Sequence, residues 1–287
     1  MVLPGLIYVF INNYIPMAGV LIAFKRIDFR LGIIRSPFIG FENFRFLFMT
    51  RDAFIITRNT LLYNMAFIVL GTCLGITVGV LLSEILSKRF QRIYQTLILL
   101  PQLFSIIIVA YIVFGFLSIE AGFINRTILG PGREINFYGT PAMWPFLLVI
   151  TNLWRGLGYN SIIYLSSINS VDRNLYEAAT VDGLGRFKQV FYITIPCIKP
   201  TIMILVLIAI GRIFYTDFGL FYQVPMNAGA LFSVTNTIDT YVYRALLELN
   251  DISMASAAAA YQAIVGFILI FTVNRIVQMV DRDNAIF

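Results

Sequence analysis

Residues 65–82 of the chain read MAFIVLGTCLGITVGVLL and contain no charged side chain. A helix needs about 20 mainly apolar residues to cross the roughly 30 Å hydrocarbon core of a bilayer, whereas a barrel strand needs only about ten. Extended to its polar flanks, this run covers residues 59–86. It therefore predicts a membrane-spanning helix.

The composition of the whole chain agrees with this interpretation. Of the 287 residues, 59% are hydrophobic and 13% are charged, and the mean hydropathy is +0.83. A soluble domain carries about 25% charged residues. The composition excludes an ordinary soluble enzyme, a disordered chain and a disulfide scaffold, and predicts an all-α integral membrane protein.

Several segments are long and apolar enough to be spans, and no repeat or flexible linker divides them. We predict one transmembrane domain, residues 1–287, with six spans at about 2–24, 59–86, 93–117, 143–168, 201–216 and 255–280. The first segment lacks the basic start and cleavage site of a signal peptide, so we expect it to be retained. Because it begins next to Met1, a cytoplasmic segment upstream of it is left as an open alternative.

The connections between the spans differ in character. Residues 87–92 form a tight basic turn, and Pro101 should kink the third span. Residues 25–58 are basic and aromatic, which predicts an amphipathic segment at the lipid surface. In residues 217–254 one helical face is apolar. The residues on that face are Ile238, Tyr241, Val242, Ala245, Leu246 and Leu249.

The residues that the chain lacks exclude several kinds of chemistry. It has no histidine, which rules out a Cys/His metal site and a catalytic imidazole. It has no Gly-x-x-x-x-Gly-Lys-Ser/Thr loop to hold nucleotide phosphates. Cys73 and Cys197 are expected to be buried as small hydrophobic side chains. The net charge of +6 comes from residues that flank apolar spans, so no nucleic-acid partner is expected.

The polar loop at 169–200 contains the most informative pattern, LYEAATVDGLGRFKQVFYITIP at residues 175–196. Its first part favours a helix, Gly183 allows a sharp turn, and a second short helix should end at Pro196 and Pro200, which redirect the chain into the fifth span. We predict a helix–turn–helix outside the membrane, whose Glu177 suits a basic partner. An interfacial amphipathic helix between two spans is the alternative.

The sequence Glu177-Ala178-Ala179, followed by Gly183, Ile193 and Pro196, resembles the EAA loop of binding-protein-dependent ABC importer permeases. Ile195 stands where that family usually has leucine. Further motifs, among them residues 152–154 and 238–244, resemble the sugar branch of the family, most of all the oligosaccharide permeases of the LplB/YteP type. The resemblance implies a MetI-like fold with six transmembrane helices and a cytoplasmic EAA coupling helix.

The resemblance also implies partners. They are a second homologous permease in a heterodimer, two ABC ATPase subunits, an extracytoplasmic solute-binding protein and an oligosaccharide substrate. ATP and Mg would be bound by the partner ATPase, so this chain is expected to bind no cofactor and to catalyse nothing. The residues implied in ATPase coupling are Tyr176, Glu177, Ala178, Ala179, Asp182, Gly183 and Arg186.

The expected location is the bacterial cytoplasmic membrane, with the chain crossing it several times among membrane lipids. Basic residues are divided evenly between the two sides of the predicted topology, and only the weight given to short loops favours one orientation. The cytoplasmic position of the EAA loop, and with it that of both termini, therefore rests on the resemblance.

Polar residues in the spans are candidates for the translocation path, because a charge at mid-bilayer costs about 2.5–3.5 kcal/mol and usually faces the bundle interior. Aromatic faces and planar polar groups also suit a sugar. The candidates are Gln102, Asn152, Trp154, Arg155, Tyr159, Asn160, Arg212, Tyr215 and Asp217. The alternative is that they hold helices together, with Arg212 and Asp217 forming a pair.

Three arginines near the predicted core, Arg155, Arg212 and Arg244, favour an acidic oligosaccharide such as a uronate, because guanidinium groups bind carboxylates in a bidentate manner. The alternative is that they pair with acidic residues of the chain itself. The candidates for such pairing are Asp217, Asp239 and Glu248.

Residues 223–229 are a predicted extracellular loop rich in turn-forming residues. Met226, Asn227 and Gly229 are candidate contacts for the solute-binding protein. A plain surface loop is the alternative.

Other functions fit parts of the pattern. An ABC permease for a different small solute, such as an amino acid or phosphate, differs only in the substrate. A secondary transporter would need a coupling-ion site, typically a buried carboxylate in a broken helix, but the predicted span interiors hold few acids. An intramembrane enzyme would need a nucleophile with a base or paired buried carboxylates, and we find neither.

Overall fold

The computed structural model describes residues 2–280, and within them the chain is helical with no β-sheet. Short π and 3-10 turns interrupt several helices, and Lys25 and Phe38 form an isolated antiparallel bridge. The helices are α1 Leu3–Phe24, α2 Gly32–Arg35, α3 Glu42–Met49, α4 Asp52–Ser83, α5 Lys88–Leu103, α6 Ile106–Leu117, α7 Trp144–Asn169, α8 Arg173–Val181, α9 Arg186–Gly211, α10 Phe218–Gln223, α11 Phe232–Thr235, α12 Ile238–Leu247 and α13 Ile252–Val280. The predicted all-α membrane fold is confirmed.

Four helices in the described part of the chain, α1, α4, α9 and α13, are long and apolar enough to cross a membrane. The bent pair α5 and α6 adds a fifth if it counts as one span. The predicted fourth span, residues 143–168, corresponds to the 26-residue α7, which carries Asn152, Arg155 and Asn160 within its apolar sequence. The count of six spans stays a prediction.

The most extensive helix contact in the fold joins α4 and α7. Gly71, Gly75 and Gly79 lie one turn apart on α4 and face α7. A Cβ atom on Gly75 would lie 3.0 Å from the ring of Tyr164, and one on Gly79 would lie 3.2 Å from the backbone of Ser161 and of Leu165. Small residues let helices approach in a membrane, where packing replaces the hydrophobic effect as the attraction.

On another face, α7 touches α5 even more closely at one point. A Cβ atom on Gly158 would lie 2.4 Å from the carbonyl oxygen of Ile98. The helix pair α5 and α6 is bent by 94° after Leu103. The predicted kink at Pro101 is therefore a full break, because Phe104 and Ser105 adopt extended conformations. The side chain of Ser105 then caps α6 by accepting a hydrogen bond from the N–H of Ile108.

Polar side chains of α4 hold the segments that follow α9. Asn59 donates to the carbonyl oxygens of Ser233 and Asn236 at 3.2 and 2.9 Å, and Tyr63 donates to that of Val234 at 2.9 Å. Two other α4 side chains act in the same way. Thr60 accepts from the N–H of Ile238 at 3.1 Å, and Asn64 donates to the carbonyl oxygens of Ile213 and Tyr215 at 2.8 and 3.1 Å.

The fifth span differs from the prediction. Arg186–Gly211 is one continuous helix of 26 residues, so Pro196 and Pro200 do not end a helix. The π turn Val190–Thr194 precedes Pro196 and places it in the first turn of the α-helical segment that follows, where a missing N–H is tolerated. The second half of the predicted loop is thus the start of the span.

Other expectations were partly wrong. Cys73 and Cys197 are exposed on this chain instead of buried, because the outer surface of a membrane protein is as apolar as its core. Of the apolar face predicted for residues 217–254, Ile238 and Ala245 are buried on α12, but Leu246 is exposed and Leu249 lies beyond the helix and is also exposed.

The predicted amphipathic segment, residues 25–58, is shortened to residues 25–51, because α4 begins at Asp52. It carries exposed apolar side chains next to arginines, and its position at the lipid surface stays a prediction. Phe29, Ile34 and Phe41 are all exposed. Arg26 pairs with Glu42 at 3.0 Å, and the N–H of Ile27 donates to the hydroxyl of Ser253 at the start of α13.

We expect Gly158→Ala to destabilise the protein by about 1–3 kcal/mol, as overpacked sites usually do. The new methyl group would collide with backbone atoms of α5, which cannot rotate away. Thermal unfolding of the purified protein in detergent measures the effect. Gly156→Ala is the matched control, because no atom lies within 4 Å of its Cβ position. Equal melting temperatures for the two variants would contradict the α5–α7 contact.

Candidate functional site

The candidate coupling loop is a helix–turn–helix. The side chain of Asp172 caps α8 by accepting from the N–H of Asn174 at 3.0 Å. After α8 the chain turns at Gly183, whose φ of +79° lies in the left-handed region that favours glycine. The N–H of Leu184 then donates to the carbonyl oxygen of Ala179 at 2.9 Å, which closes the helix end in the usual way.

Side chains fasten α8 to the first turns of α9. The hydroxyl groups of Tyr176 and Thr194 share a hydrogen bond of 2.9 Å. Gln189 donates to the hydroxyl of Thr180 at 3.1 Å and to the carbonyl oxygen of Leu184 at 3.0 Å. Because Ala179 is also buried, α8 is held against α9 and cannot move independently of it without breaking these contacts.

The other predicted coupling residues remain on the outer surface of the loop. Glu177, Ala178, Asp182 and Gly183 are exposed. Apolar side chains surround them: Val181, Phe187 and Tyr192 are 88%, 78% and 73% exposed. An exposed acidic group within an apolar surface is the composition of a protein-binding patch.

Arg186 has a partner that the sequence did not suggest. Its guanidinium forms an ion pair with Glu84, the residue that follows α4. No spacing rule links the two residues, since they lie on different helices. Glu84 lies at a helix C-terminus and Arg186 at a helix N-terminus, and each of these ends repels the charge that it carries. Only this conflict could have pointed to the pair.

The candidate path residues of α7 differ in their surroundings. Asn152 and Asn160 face α4 and line a cavity of about 30 Å³ together with Gly71 and Phe67, large enough for a water molecule. Trp154 and Tyr159 are both exposed. Gln102 is also exposed, next to the break between α5 and α6.

Asp217 joins α7 to the segment beyond α9. One carboxylate oxygen accepts from Arg155 Nη1 at 2.7 Å, and the other caps α10 by accepting from the N–H of Leu220 at 3.2 Å. The side chains of Arg155 and Asp217 are 23% and 41% exposed. Arg155 Nε is buried and has no hydrogen-bond partner.

The alternative pair of Arg212 and Asp217 is not present. Arg212 is exposed just beyond the end of α9 and has no carboxylate within ion-pair distance among the described residues. Tyr215, three residues further on, is exposed as well. The pairing was wrong because sequence proximity does not tell which span faces a loop residue.

Arg244 is 8% exposed and lies among neutral partners. Its Nε donates to Asn227 Oδ1 at 3.0 Å, its Nη1 donates to Asn236 Oδ1, and the guanidinium lies 4.0 Å from the ring centroid of Phe232. Nη2 is buried without a partner. Burial therefore lowers the pKa of Arg244 from its ordinary value.

The acids proposed as partners of the arginines have other contacts. Asp239 accepts from the N–H and the hydroxyl of Thr216 at 2.7 Å and from Gln262 at 3.1 Å. Glu248 accepts from Tyr222 and Asn227, each at 3.1 Å. Of the three acids considered, Asp217 alone forms an ion pair with one of the three arginines.

Most of residues 223–229, the candidate contact loop for the solute-binding protein, packs against the rest of the chain. Met226 contacts the apolar core around Phe221, and Asn227 is held by Arg244 and Glu248. Both residues have a positive φ, +54° and +47°. Gly229 is exposed, so the accessible part of this loop is its final turn.

Known proteins resemble the chain over nearly its whole length. The family described as binding-protein-dependent transport system inner membrane component matches residues 71–285. The chain is 34% identical over 285 residues to protein LplB of Bacillus subtilis (strain 168), covering 99% of this chain and 89% of that protein. It is 36% identical to the polygalacturonan/rhamnogalacturonan transport system permease protein YteP of the same strain, with 99% and 88% covered.

Solved structures also resemble the chain. A chain of a bacterial ABC transporter involved in the import of the acidic polysaccharide alginate matches with a TM-score of 0.88 and 31% identity, covering 98% of this chain and 94% of that one. A second structure, of a bacterial alginate transporter in complex with alginate pentasaccharide-bound periplasmic protein, matches with a TM-score of 0.87 at the same identity, with 98% and 93% covered.

Asp217→Asn should separate the two roles of this carboxylate. Asparagine still caps α10 but loses the charge that attracts Arg155. Because the pair is partly exposed, a double-mutant cycle with Arg155→Gln is expected to give a coupling energy of about 0.5–1 kcal/mol. Unfolding in detergent measures it. A coupling energy of zero would show that the pair contributes nothing in the folded protein.

Proposed function

Because the chain belongs to the family of binding-protein-dependent transport system inner membrane components, we propose that it is a permease subunit of an ATP-driven ABC importer for oligosaccharides. The observation that supports this most strongly is the coupling loop. Its exposed patch around Glu177 lies on a helix bonded to the first turns of a 26-residue membrane helix. A push on α8 would therefore displace α9 directly.

In this proposal α8 docks into a cleft of the ATPase, with Glu177 facing a basic residue there. Closure of the two ATPase subunits moves the coupling loops and rocks the membrane helices around a central path. ATP and Mg belong to the ATPase, and this chain catalyses no reaction. The loop, and with it both termini, lies in the cytoplasm; Met1 and residues 281–287 are outside the described residues.

The partners follow from the same proposal. A second homologous permease completes the path, two ATPase subunits supply the motor, and an extracytoplasmic solute-binding protein delivers the substrate. Association with a solute-binding protein is supported by the alginate transporter, which was solved with a sugar-loaded periplasmic protein. For this chain we assign the contact to Met226, Asn227 and Gly229, of which Gly229 is the exposed part.

We assign the substrate to acidic oligosaccharides. YteP is described as a transporter of polygalacturonan and rhamnogalacturonan, and the solved relative imports alginate, an acidic polysaccharide. In this chain Arg212 is exposed without an acidic partner among the described residues, and Trp154 and Tyr215 are exposed aromatic side chains. Together with Tyr159 and Gln102 they offer a cation, ring faces and an amide to a sugar acid. Asn152 and Asn160, which face α4, are the remaining candidates for contact with the sugar.

Two alternatives have less support. A permease for a different small solute would share the fold and the coupling loop. A secondary transporter would need a buried carboxylate within a broken helix. At the break between α5 and α6, residues 88–117 contain no acidic residue.

Glu177→Lys is expected to leave the membrane fold intact while reducing both ATPase association and substrate uptake, because the introduced charge repels a basic partner. Copurification of the ATPase and ATP-dependent uptake in proteoliposomes measure the two effects. Glu120→Lys is the control, since Glu120 is exposed in the connection after α6, far along the chain from the loop. Full coupling in the Glu177 variant would refute the assignment.

Arg212→Gln should lower uptake of uronate oligosaccharides about tenfold, as expected for the loss of a charge-assisted contact, and should leave uptake of neutral oligosaccharides unchanged. Competition between labelled acidic and neutral sugars in proteoliposomes with the loaded binding protein measures the preference. Equal loss for both sugars would argue against charge recognition at this residue.

A further inference from the structure

Two charged residues near the coupling loop lie at helix ends that disfavour them. Glu84 directly follows the last residue of α4, and Arg186 is the first residue of α9. A helix carries partial negative charge at its C-terminus and partial positive charge at its N-terminus. An isolated Glu84 or Arg186 would therefore be repelled by its own helix.

The ion pair between Glu84 and Arg186 removes both conflicts at once. Each charge meets the opposite side chain and also the oppositely charged end of the other helix. The side chains are 46% and 77% exposed, so the pair adds little to overall stability. A functional role for the pair would therefore depend on the two helices that it connects.

The pair connects the turn of the coupling loop to a second membrane helix. Arg186 lies three residues after Gly183, where the loop turns, and begins α9. Glu84 directly follows the 32-residue α4. The two helices are joined again beyond the C-terminus of α9, where Asn64 in the first half of α4 donates to the carbonyl oxygens of Ile213 and Tyr215.

We propose that Glu84 is a positioning residue of the coupling loop, and that its pair with Arg186 makes α4 move together with α9. This inference rests on the proposed function. With the pair intact, a displacement of α8 reaches α9 through the chain and α4 through the ion pair. The segments after α9, which Asn59 and Tyr63 of α4 hold, then move with the same unit. Without the pair, α4 and α9 are joined, within the described residues, only by apolar packing and by Asn64, so α4 follows α9 less closely.

The test uses the complete importer in nanodiscs, with both permeases, the ATPase and the sugar-loaded binding protein. Glu84→Gln is expected to assemble normally and to hydrolyse ATP, and Arg186→Gln is measured beside it. The amount of sugar transported per ATP should fall about two- to five-fold, the range that corresponds to an exposed ion pair. A purely structural role would lower assembly or melting temperature instead of this ratio.

The exchange variant Glu84→Arg with Arg186→Glu is the decisive member of the series. It restores the pair, and each charge is now favoured by the end of its own helix instead of the end of the other helix, so the transport ratio should return to that of the unmodified protein. The matched control is the exposed pair of Arg26 and Glu42. Glu42→Gln, Arg26→Gln and their exchange should leave the ratio unchanged.

Three outcomes would overturn the inference. They are an unchanged ratio in Glu84→Gln, a loss in Arg186→Gln alone, which would make Arg186 an ATPase contact, and an exchange variant that stays impaired. None of these would affect the proposed function, which fails if Glu177→Lys retains full coupling. The two results are therefore distinguishable.

Discussion

The contact between α4 and α7 is the constraint on which the rest of the structure depends. Gly75 and Gly79 bring the two helices so close that a single methyl group would touch Tyr164 or the backbone of Ser161. Helices in lipid gain little from burying apolar surface, so such close packing has to hold them together. It also directs Asn152 and Asn160 of α7 toward α4, while Trp154 and Tyr159 stay exposed.

Because this contact fixes α4, the polar side chains of α4 can hold the segments after α9 in place. Asn59, Tyr63 and Asn64 bind carbonyl oxygens that would otherwise be unsatisfied near the membrane. The coupling loop lies at the C-terminal end of α4, beside Glu84. In the proposed function, a movement that begins at α8 would reach both sides of the membrane through two helices.

The sequence predicts those features that depend on composition and local chemistry. Long apolar runs gave the helices, and Gly183 gave the turn after α8, which needs a positive φ. Pairings across the fold were predictable only as sets of candidates: Asp217 was one of three acids considered for three arginines, and it binds Arg155 of a distant helix instead of nearby Arg212. Pro196 was misjudged because a π turn lets the helix continue through it, and Cys197 because apolar surroundings do not distinguish core from lipid.

An electron cryo-microscopy structure of the assembled importer with nucleotide bound would test the central claim most directly. We expect α8 to be seated in a cleft of the ATPase, with Glu177 beside a basic residue and the exposed ring of Phe187 covered by the ATPase. A map in which residues 173–196 lie on the extracytoplasmic side, or contact no nucleotide-binding subunit, would contradict it.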